Sequence, residues 1–379
     1  MLVTLVAGAR PNFIKIAPII NAIRIYNATA PLGQFMRYRL VHTGQHFDQN
    51  MSGDFFDQLG IPDPDVNLCA RGTSQAELTA EIMIKFEREL LNYRPDVVLV
   101  VGDVTSTMAC AITAKKLCIP VVHVEGGIRS GDLSMPEEIN RIVTDAISDH
   151  FFTTSVFAND ILMANGINRD QIHFVGNTMI DTLLQNLGKL RQPKIWQDQM
   201  LNEKEYIILT LHRPCNVDNL AKLKGILDSI LLSTSNTPVV FPVHPRTRKQ
   251  LDRLDYQSGS LLQVTPQPYL DFMYLLKHCK AIVTDSGGIS EESTVLGIPC
   301  ITLRNSTERP ETVITGTNVL AGDNPECIAS LLKQVMQGEW PIGSIPEFWD
   351  GNTSKRIVET LSNLYSLGPQ SIKKSLFPA

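Results

Sequence analysis

The sequence lacks the features of several specialised protein classes. Its 379 residues carry a formal net charge of −5, and no run of Lys or Arg is longer than a pair, whereas a nucleic-acid surface usually shows a basic stripe. The seven cysteines are odd in number and scattered, with no CxxC pair and no His spacing typical of zinc. We therefore expect reduced thiols in the cytoplasm, no bound metal and no nucleic-acid partner.

Long apolar runs are also missing. No stretch reaches the roughly 18 apolar residues of a membrane span, and the short apolar start, residues 2–8, has no basic leader. We expect a soluble protein without a membrane partner or signal peptide. With 43% apolar residues, a chain of this length has enough apolar surface to fill two cores.

Two nucleotide-binding fingerprints are absent as well. Neither the Walker loop, GxxxxGK[ST], nor the dinucleotide-binding loop, GxGxxG, occurs in the chain. Chemistry that passes through a transient ketone would lack an evident hydride acceptor, so we expect no redox cofactor. The first loop instead places Arg10 and Lys15 around a proline at a predicted helix start.

What the sequence does contain is a regular alternation of short β-rich runs with longer helix-like stretches, which is typical of parallel βαβ units. The predicted strands are residues 3–7, 38–42, 97–101, 121–124 and 150–153, followed by 206–210, 239–243, 262–264, 281–284 and 299–302. This pattern predicts an α/β fold with two doubly wound, Rossmann-like domains.

Turn signals set the expected domain boundaries. A Gly-Asn turn before an amphipathic stretch puts the hinge near residue 175, so we expect the first domain at residues 1–175 and the second at residues 176–352. Residues 353–379 are predicted to form a C-terminal helix and tail. The apolar residues of that helix have helical spacing, and we expect this face to pack back on the first domain.

Carboxylates follow three of the predicted strands. Asp103, Glu125 and Asp285 each come after an apolar run. Ligands of parallel sheets bind at the carboxyl ends of the strands, so these acids could line a site, although each could instead be the N-cap of the next helix. Two glycines after Glu125 leave room for a ligand, and Arg129 could pair with an anionic substrate.

The segment DSGGISEE is typical of a phosphate-binding turn. Ser286, Gly287 and Gly288 could offer N–H groups at a helix start, where the helix dipole favours phosphate. Glu292, one turn further on, could accept hydrogen bonds from ribose hydroxyls. His212 also follows a predicted strand, although a lone histidine is often structural.

Nine segments of the chain resemble the non-hydrolysing UDP-N-acetylglucosamine 2-epimerases. They read GARPNFIKIAPI, HTGQHFD, VVGDVTST, HVEGGIRSGD, MPEEINR, LTLHRPCNVDN, PVHP, TDSGGISEES and TERPE. Together they extend from residue 8 to residue 311 and cover nearly the whole chain. The PEExNR and DSGGxxEE blocks are the most specific of them.

The resemblance implies a fold and a reaction. Family members have the two-domain GT-B architecture, with the active site in the interdomain cleft and a C-terminal helix that returns to the first domain. They invert C2 of UDP-N-acetylglucosamine (UDP-GlcNAc) to give UDP-N-acetylmannosamine (UDP-ManNAc), by eliminating UDP to leave 2-acetamidoglucal and adding it back, without a cofactor. We therefore expect a homodimeric isomerase whose product is used in surface polysaccharide synthesis.

The matching motifs imply roles for individual residues. Asp103, Glu125 and Glu137 would form the acid and base group, because moving the C2 proton requires positioned donors and acceptors. The other expected contacts are Arg10, Lys15 and His212 with the diphosphate, Ser286, Gly287 and Gly288 as hydrogen-bond donors to it, Glu292 with the ribose and Phe272 with the uracil. Ordinary core packing is the alternative for Phe272.

Other functions share part of these features. A GT-B glycosyltransferase would use the same fold and UDP site without needing three acids. A hydrolysing relative would release free ManNAc, and a nucleotide-sugar sensor would lack the acids. An epimerase of UDP-2,3-diacetamido-2,3-dideoxyglucuronate is a further alternative, in which Arg129 or Arg141 could bind the acidic sugar.

One segment departs from the family pattern. Many bacterial members bind UDP-GlcNAc at a second, activating site lined by the TGQH glutamine, an arginine of an HRRE segment and the match to His244. Gln45 and His244 are present here, but Pro214 replaces the arginine and offers neither a charge nor an N–H group. We expect weak or absent activation by the substrate, unless Arg246 supplies the missing contact.

Overall fold

The computed structural model describes residues 1–31, 34–45, 56 and 58–365. The chain forms two compact units: Met1–Gln185 with the chain from Glu347 onward, and Asn186–Pro346. The sequence places these divisions near residues 175 and 352 instead. The helix after residue 175 groups with the first unit, where its Thr182 hydroxyl donates to the Ile14 carbonyl at 2.6 Å. The expected tail after residue 365 lies outside the described residues.

The first unit is built on a seven-stranded parallel sheet. Its strands are β1 (Leu2–Ala7), β2 (Arg37–His42), β3 (Val66–Asn67), β4 (Val97–Val101), β5 (Val121–Val124), β6 (His150–Thr153) and β7 (Ile172–Phe174). They lie in the order β3-β2-β1-β4-β5-β6-β7. β4 reads VVLVV and is buried along its whole length, as expected for a central parallel strand covered on both faces.

Helices connect these strands. They are α1 (Arg10–Thr29), α2 (Gln75–Asn92), α3 (Thr105–Lys116), α4 (Pro136–Ile147), α5 (Val156–Ala164) and α6 (Thr178–Asn186), with a 3-10 turn at Arg169–Gln171. The Ser74 hydroxyl caps α2 by accepting the N–H of Glu77. Apolar side chains such as Ile82 and Phe86 of α2 are buried with Val98 of β4 in one core.

The second unit repeats the same plan with six parallel strands. They are β8 (Ile207–Thr210), β9 (Val239–Pro242), β10 (Leu261–Val264), β11 (Ala281–Thr284), β12 (Cys300–Thr302) and β13 (Asn318–Leu320), in the order β10-β9-β8-β11-β12-β13. Its helices are α7 (Lys194–Asp198), α8 (Pro214–Val217), α9 (Leu220–Ser233), α10 (Pro245–Leu254), α11 (Tyr269–His278), α12 (Gly287–Leu296), α13 (Pro310–Ile314) and α14 (Pro325–Gln337), and a 3-10 turn lies at Leu187–Lys189.

The last helix, α15 (Thr353–Tyr365), packs against α1 of the first unit. The buried Asp181 carboxylate caps its start by accepting the N–H groups of Thr353 at 3.0 Å and Ser354 at 2.6 Å, and the Ser354 hydroxyl at 2.6 Å. Ile357 is buried on the inner face of the helix. This arrangement confirms the predicted return of the C-terminal helix.

The observed architecture confirms the predicted α/β class with two doubly wound, Rossmann-like sheets. Sequence patterns miss β3, β7 and β13, which are edge strands of two or three residues. Such short strands leave no detectable alternation of apolar and polar residues. None of the helices in the described part of the chain is long and apolar enough to cross a membrane.

Candidate active site

Asn12 fixes the loop between β1 and α1. Its Oδ1 accepts the N–H groups of Gly8 at 3.1 Å and Ala9 at 2.9 Å, and its Nδ2 donates to the Val101 carbonyl at 2.9 Å. The side chain is buried, so these bonds are shielded from water. The start of α1, with Arg10 in its first turn, is thereby tied to the end of β4.

Lys15 of α1 pairs with Glu125 at the end of β5. Lys15 Nζ lies 2.8 Å from Glu125 Oε2, and the two side chains are 12% and 3% exposed. Glu125 has a φ of 70°, in the left-handed region, and its N–H donates to the Phe152 carbonyl at 2.8 Å. Gly102 borders the same ammonium, because a Cβ there would lie 3.4 Å from Lys15 Nζ. Lys15, Glu125 and Gly102, the residue before Asp103, therefore lie together at the carboxyl ends of β4 and β5.

Two residues of α4 contact Asp103. Asn140 Nδ2 donates to the Asp103 carbonyl at 2.8 Å, and Arg141 Nε lies 3.3 Å from Asp103 Oδ2. The Asp103 side chain is 38% exposed, so its carboxylate is positioned and still accessible to a ligand. Glu137 lies half-buried on the first turn of α4, and its carbonyl accepts from Arg141 Nε at 3.3 Å.

The strand-end acids do not cap the helices that follow them. The N-cap positions are Val104 for α3, Met135 for α4 and Ser286 for α12. Capping, the alternative that the sequence left open, therefore does not explain the positions of the acids.

Glu138, the second acid of PEEINR, fixes the loop after β5. It is buried, and its Oε2 accepts the N–H of Ser130 at 2.9 Å and the Ser130 hydroxyl at 3.0 Å. Its Oε1 accepts the N–H of Gly131 at 3.2 Å, and Arg141 Nη1 lies 3.2 Å from Oε2. The two neighbouring acids of the motif thus have different surroundings.

A buried network links β4 and β5 to α4. His123 Nδ1 lies 2.7 Å from Asp145 Oδ1, and His123 Nε2 lies 2.8 Å from the Gly102 carbonyl. Asp145 Oδ2 accepts the N–H of Gly127 at 3.0 Å and Arg129 Nη1 at 2.6 Å. Burial raises the pKa of Asp145, but His123 and Arg129 outweigh it and hold the pKa below its usual range. Arg129 is engaged by this carboxylate, and its expected contact with the substrate stays a prediction.

In the second unit, Asp285 organises the turn after β8. It accepts the N–H groups of His212 at 3.1 Å and Arg213 at 2.9 Å, and its Oδ1 lies 2.8 Å from His212 Nδ1. Burial raises the pKa of Asp285, but the charge and hydrogen bonds of His212 and the Arg213 N–H hold it below its usual range. The His212 ring is 44% exposed, so it is oriented by Asp285 and accessible to a ligand.

The DSGG turn leads into α12, as the sequence predicts. Ser286 N–H donates to Thr284 Oγ1 at 3.0 Å, so this expected phosphate donor is engaged within the protein. A Cβ on Gly287 would lie 3.6 Å from Arg304 Nη1, which places a guanidinium beside the turn. Glu308 binds Arg304 through two hydrogen bonds of 2.6 and 2.7 Å. Burial raises the pKa of Glu308, but Arg304 outweighs it and lowers the pKa to about 2.

Glu292 is buried within the second unit. It is 3% exposed, and Tyr269 Oη donates to its Oε1 at 3.1 Å. Burial raises the pKa of Glu292 to about 8, the Tyr269 hydrogen bond opposes this shift, and the charge of Glu291 adds to it. Phe272 lies half-buried on α11, one turn after Tyr269.

The residues matching the family's second site are engaged with neighbours. Gln45 Oε1 accepts the Ser106 N–H at 3.2 Å and its hydroxyl at 2.8 Å. His244 Nδ1 accepts the N–H of Arg246 at 3.2 Å and caps α10. Arg246 binds Asp218 through two hydrogen bonds of 2.9 and 2.6 Å, so its guanidinium has a partner within the chain.

The expected site residues fall into two groups. The first unit contains Arg10, Lys15, Asp103, Glu125, Arg129 and Glu137, and the second contains His212, Phe272, Ser286, Gly287, Gly288 and Glu292. Sequence reasoning missed the buried residues that hold the first group: Asn12, His123, Glu138 and Asp145. Across the described ranges, no group of three or more His, Cys, Asp or Glu side chains is arranged to hold a metal ion.

Known proteins with similar sequences share this architecture. A family model described as UDP-N-acetylglucosamine 2-epimerase matches residues 33–362. A UDP-N-acetylglucosamine 2-epimerase from Methanocaldococcus jannaschii is 38% identical over 372 residues, which cover 96% of this chain and 99% of that protein. The UDP-2,3-diacetamido-2,3-dideoxy-D-glucuronate 2-epimerase from Pseudomonas aeruginosa is 36% identical, with 96% and 100% covered.

Solved structures of UDP-GlcNAc 2-epimerases have the same fold as this chain. The M. jannaschii UDP-GlcNAc 2-epimerase in complex with UDP-GlcNAc and UDP has a TM-score of 0.84 at 37% identity, covering 96% of this chain and all of that one. The Neisseria meningitidis enzyme bound to UDP-GlcNAc has a TM-score of 0.85 at 32% identity and covers the same share of this chain. The chain therefore belongs to the UDP-N-acetylglucosamine 2-epimerase family, a family of isomerases.

Proposed function

We propose that this protein interconverts UDP-GlcNAc and UDP-ManNAc by inverting C2 of the sugar. The observation that carries the proposal is the contact between Lys15 and Glu125 beside Gly102, the residue before Asp103. The carboxylates of Asp103 and Glu125, at the ends of neighbouring strands, would supply the proton-transfer groups. The Lys15 ammonium would supply a cation for the departing diphosphate.

The reaction we propose is an elimination followed by an addition. A carboxylate of the group Asp103, Glu125 and Glu137 removes the C2 proton while the bond between C1 and the diphosphate oxygen breaks. UDP and 2-acetamidoglucal result. UDP then adds to C1 while a proton returns to C2 from the opposite face, so atoms and charge balance without a redox step.

We propose that cations stabilise the diphosphate as it leaves. Arg10 is the first residue of α1 and Lys15 lies on its second turn, and His212 has an exposed ring oriented by Asp285. Charge that develops on the leaving oxygen is stabilised most strongly by groups that are already oriented. Lys15 also contacts Glu125, so the same ammonium can stabilise the negative charge of this carboxylate and that of the leaving diphosphate.

We assign UDP binding mainly to the second unit. The Ser286 hydroxyl and the N–H groups of Gly287 and Gly288 would hold phosphate oxygens, supported by the N-terminal dipole of α12. Glu292 would accept the ribose hydroxyls, and Phe272 would pack against the uracil.

Incubation with UDP-GlcNAc in deuterium oxide tests the function. The proposal expects UDP-ManNAc to appear, with deuterium at C2 of both sugars, as followed by NMR. Release of free ManNAc would indicate hydrolysis instead. If UDP-GlcNAc stays unchanged and unlabelled, the proposed substrate is wrong.

A related acidic sugar is the second candidate, because the P. aeruginosa relative acts on UDP-2,3-diacetamido-2,3-dideoxy-D-glucuronate. A sugar carboxylate would need a cation. Arg129 contacts Asp145 at 2.6 Å, and Arg141 contacts both Asp103 and Glu138, so acids already face both guanidiniums. This pairing favours the neutral sugar. Parallel assays with both substrates separate the candidates by the ratio of their kcat/KM values.

We propose a homodimer formed through α2, α3 and α4, which pack side by side. These helices carry exposed apolar side chains, namely Ile84 and Leu91 of α2 and Ile139 of α4. We propose that they form one apolar patch, and such a patch usually marks an interface. Light scattering should give twice the chain mass, and Leu91→Glu should give a monomer. A monomeric parent protein would contradict the proposal.

We further propose that the protein works in the cytoplasm and supplies UDP-ManNAc to surface polysaccharide synthesis. Its cysteines are all free thiols, which is typical of a reducing compartment. Loss of the protein should therefore deplete the UDP-ManNAc pool and a ManNAc-containing surface polymer, as measured by sugar analysis. An unchanged polymer would contradict the proposed role.

A further inference from the structure

His123 is a fully buried histidine whose two ring nitrogens both face hydrogen-bond acceptors. Nε2 lies 2.8 Å from the Gly102 carbonyl oxygen, and Nδ1 lies 2.7 Å from Asp145 Oδ1. A carbonyl oxygen has no proton to donate, so Nε2 must carry one. The protonation of Nδ1 then depends on whether Asp145 is ionised.

The surroundings of Asp145 favour the ionised carboxylate. Its second oxygen accepts hydrogen bonds from the Gly127 N–H and from Arg129 Nη1. Burial opposes ionisation, but the Arg129 guanidinium 2.6 Å from this oxygen and the Gly127 N–H both favour the negatively charged form. An ionised carboxylate can only accept, so Nδ1 also carries a proton and His123 is an imidazolium.

Both members of the pair hold strand-end backbone that bears an acid of the proposed reaction. Gly102, whose carbonyl accepts from His123, has a φ of 69° and directly precedes Asp103. Gly127, whose N–H donates to Asp145, has a φ of 81° and follows Glu125 by two residues. Glycine moves readily between backbone conformations, so neighbouring contacts are needed to fix these two turns, and small rotations there would redirect both carboxylates.

We propose that His123 and Asp145 form a positioning pair whose hydrogen bonds to the Gly102 carbonyl and from the Gly127 N–H set the direction of Asp103 and Glu125. The proposal rests on the proposed epimerase function. Neither residue is assigned a contact with the substrate. The pair acts on kcat through the placement of the acids, and a displacement of about 1 Å at reacting groups can lower the rate on the order of 10²-fold.

Two substitutions of His123 separate its two hydrogen bonds. The amide of His123→Gln reaches the position of Nε2 and can still donate to the Gly102 carbonyl, whereas the amide of His123→Asn reaches only the position of Nδ1. We expect His123→Asn to lower kcat on the order of 10²-fold with little change in KM, and His123→Gln to retain most of the activity. Equal losses in both variants, or a change in KM alone, would overturn the proposal.

Nitrogen NMR of the free protein tests the charge state without any turnover. The wild type should show one histidine with two ring N–H protons at neutral pH, and these signals should disappear in His123→Gln. Asp145→Asn should leave a single ring proton. A wild-type His123 with one ring proton would refute the charged pair.

Hydrogen exchange provides a second readout that does not depend on activity. Peptides spanning residues 98–104 should exchange faster in His123→Asn and should be unchanged in His123→Gln. Unchanged exchange in both variants would refute the positioning role even in an active epimerase. If the wild type has two ring protons and does not convert UDP-GlcNAc, the proposed function is wrong and the charged pair is retained.

Discussion

Replacing Glu292 by Gln should stabilise the folded protein at neutral and alkaline pH. Glu292 is 3% exposed, and its pKa is raised by burial from 4.5 to about 8. Below about pH 4.5 the carboxyl is protonated in both the folded and the unfolded chain. Between about pH 4.5 and pH 8 only the unfolded chain ionises, so stability falls as the pH rises through this window.

The pKa shift sets the size of the effect. One pKa unit corresponds to about 1.4 kcal/mol, so the full window amounts to about 5 kcal/mol and the part reached at neutral pH to roughly 3 kcal/mol. Gln mimics the protonated carboxyl and does not titrate. The variant should therefore match the wild type at the acidic end of the window and exceed it increasingly towards the alkaline end.

Urea denaturation at several pH values checks this prediction. Glu291→Gln is the matched control, because Glu291 is the ion-pair partner of Arg309 and breaking a buried pair destabilises a protein. Two adjacent glutamates should thus give opposite results. A stability difference between Glu292→Gln and wild type that does not vary with pH would refute the reasoning.

Three further predictions concern other parts of the chain. Asp103→Asn, Glu125→Gln and Glu137→Gln should each lower turnover roughly 10²-fold to 10⁴-fold in folded protein, and near-normal rates in all three would refute the site. UDP-ManNAc alone should be converted without a lag in stopped assays, because Pro214 offers no donor to a second nucleotide sugar; dependence on added UDP-GlcNAc would contradict this. Asp181→Ala should destabilise the protein by about 2 kcal/mol in urea titrations, because α15 loses its cap; an unchanged midpoint would count against the capping role.

The central strands were predictable from the sequence because strands buried on both faces consist of continuous apolar runs. β4, for example, reads VVLVV, ends before Asp103 and is buried throughout. The edge strand β3 has only two residues, Val66–Asn67, and is defined by pairing with β2 rather than by its own pattern. Such pairing depends on chain segments distant in sequence, which local periodicity does not record.

The candidate site was likewise predictable only in part. Strand ends located Asp103 and Glu125, but Asn140 and Arg141, which contact Asp103, come from α4, which follows later in the chain. Glu138 and Asp145 are spaced for one helical face, so helix phase could have marked them as buried. The contact of Asp145 with His123 spans 22 residues and arises from packing, which the sequence pattern does not encode.

The central claim is that the bond between C1 and the diphosphate breaks during epimerisation. UDP-GlcNAc labelled with oxygen-18 in the bridge between C1 and the β-phosphorus tests it directly, because the β-phosphate of free UDP can rotate before it adds back. We predict that the label moves to non-bridging positions of the β-phosphate while UDP-ManNAc forms, as followed by phosphorus NMR. Formation of UDP-ManNAc with the label retained entirely in the bridge would contradict the account.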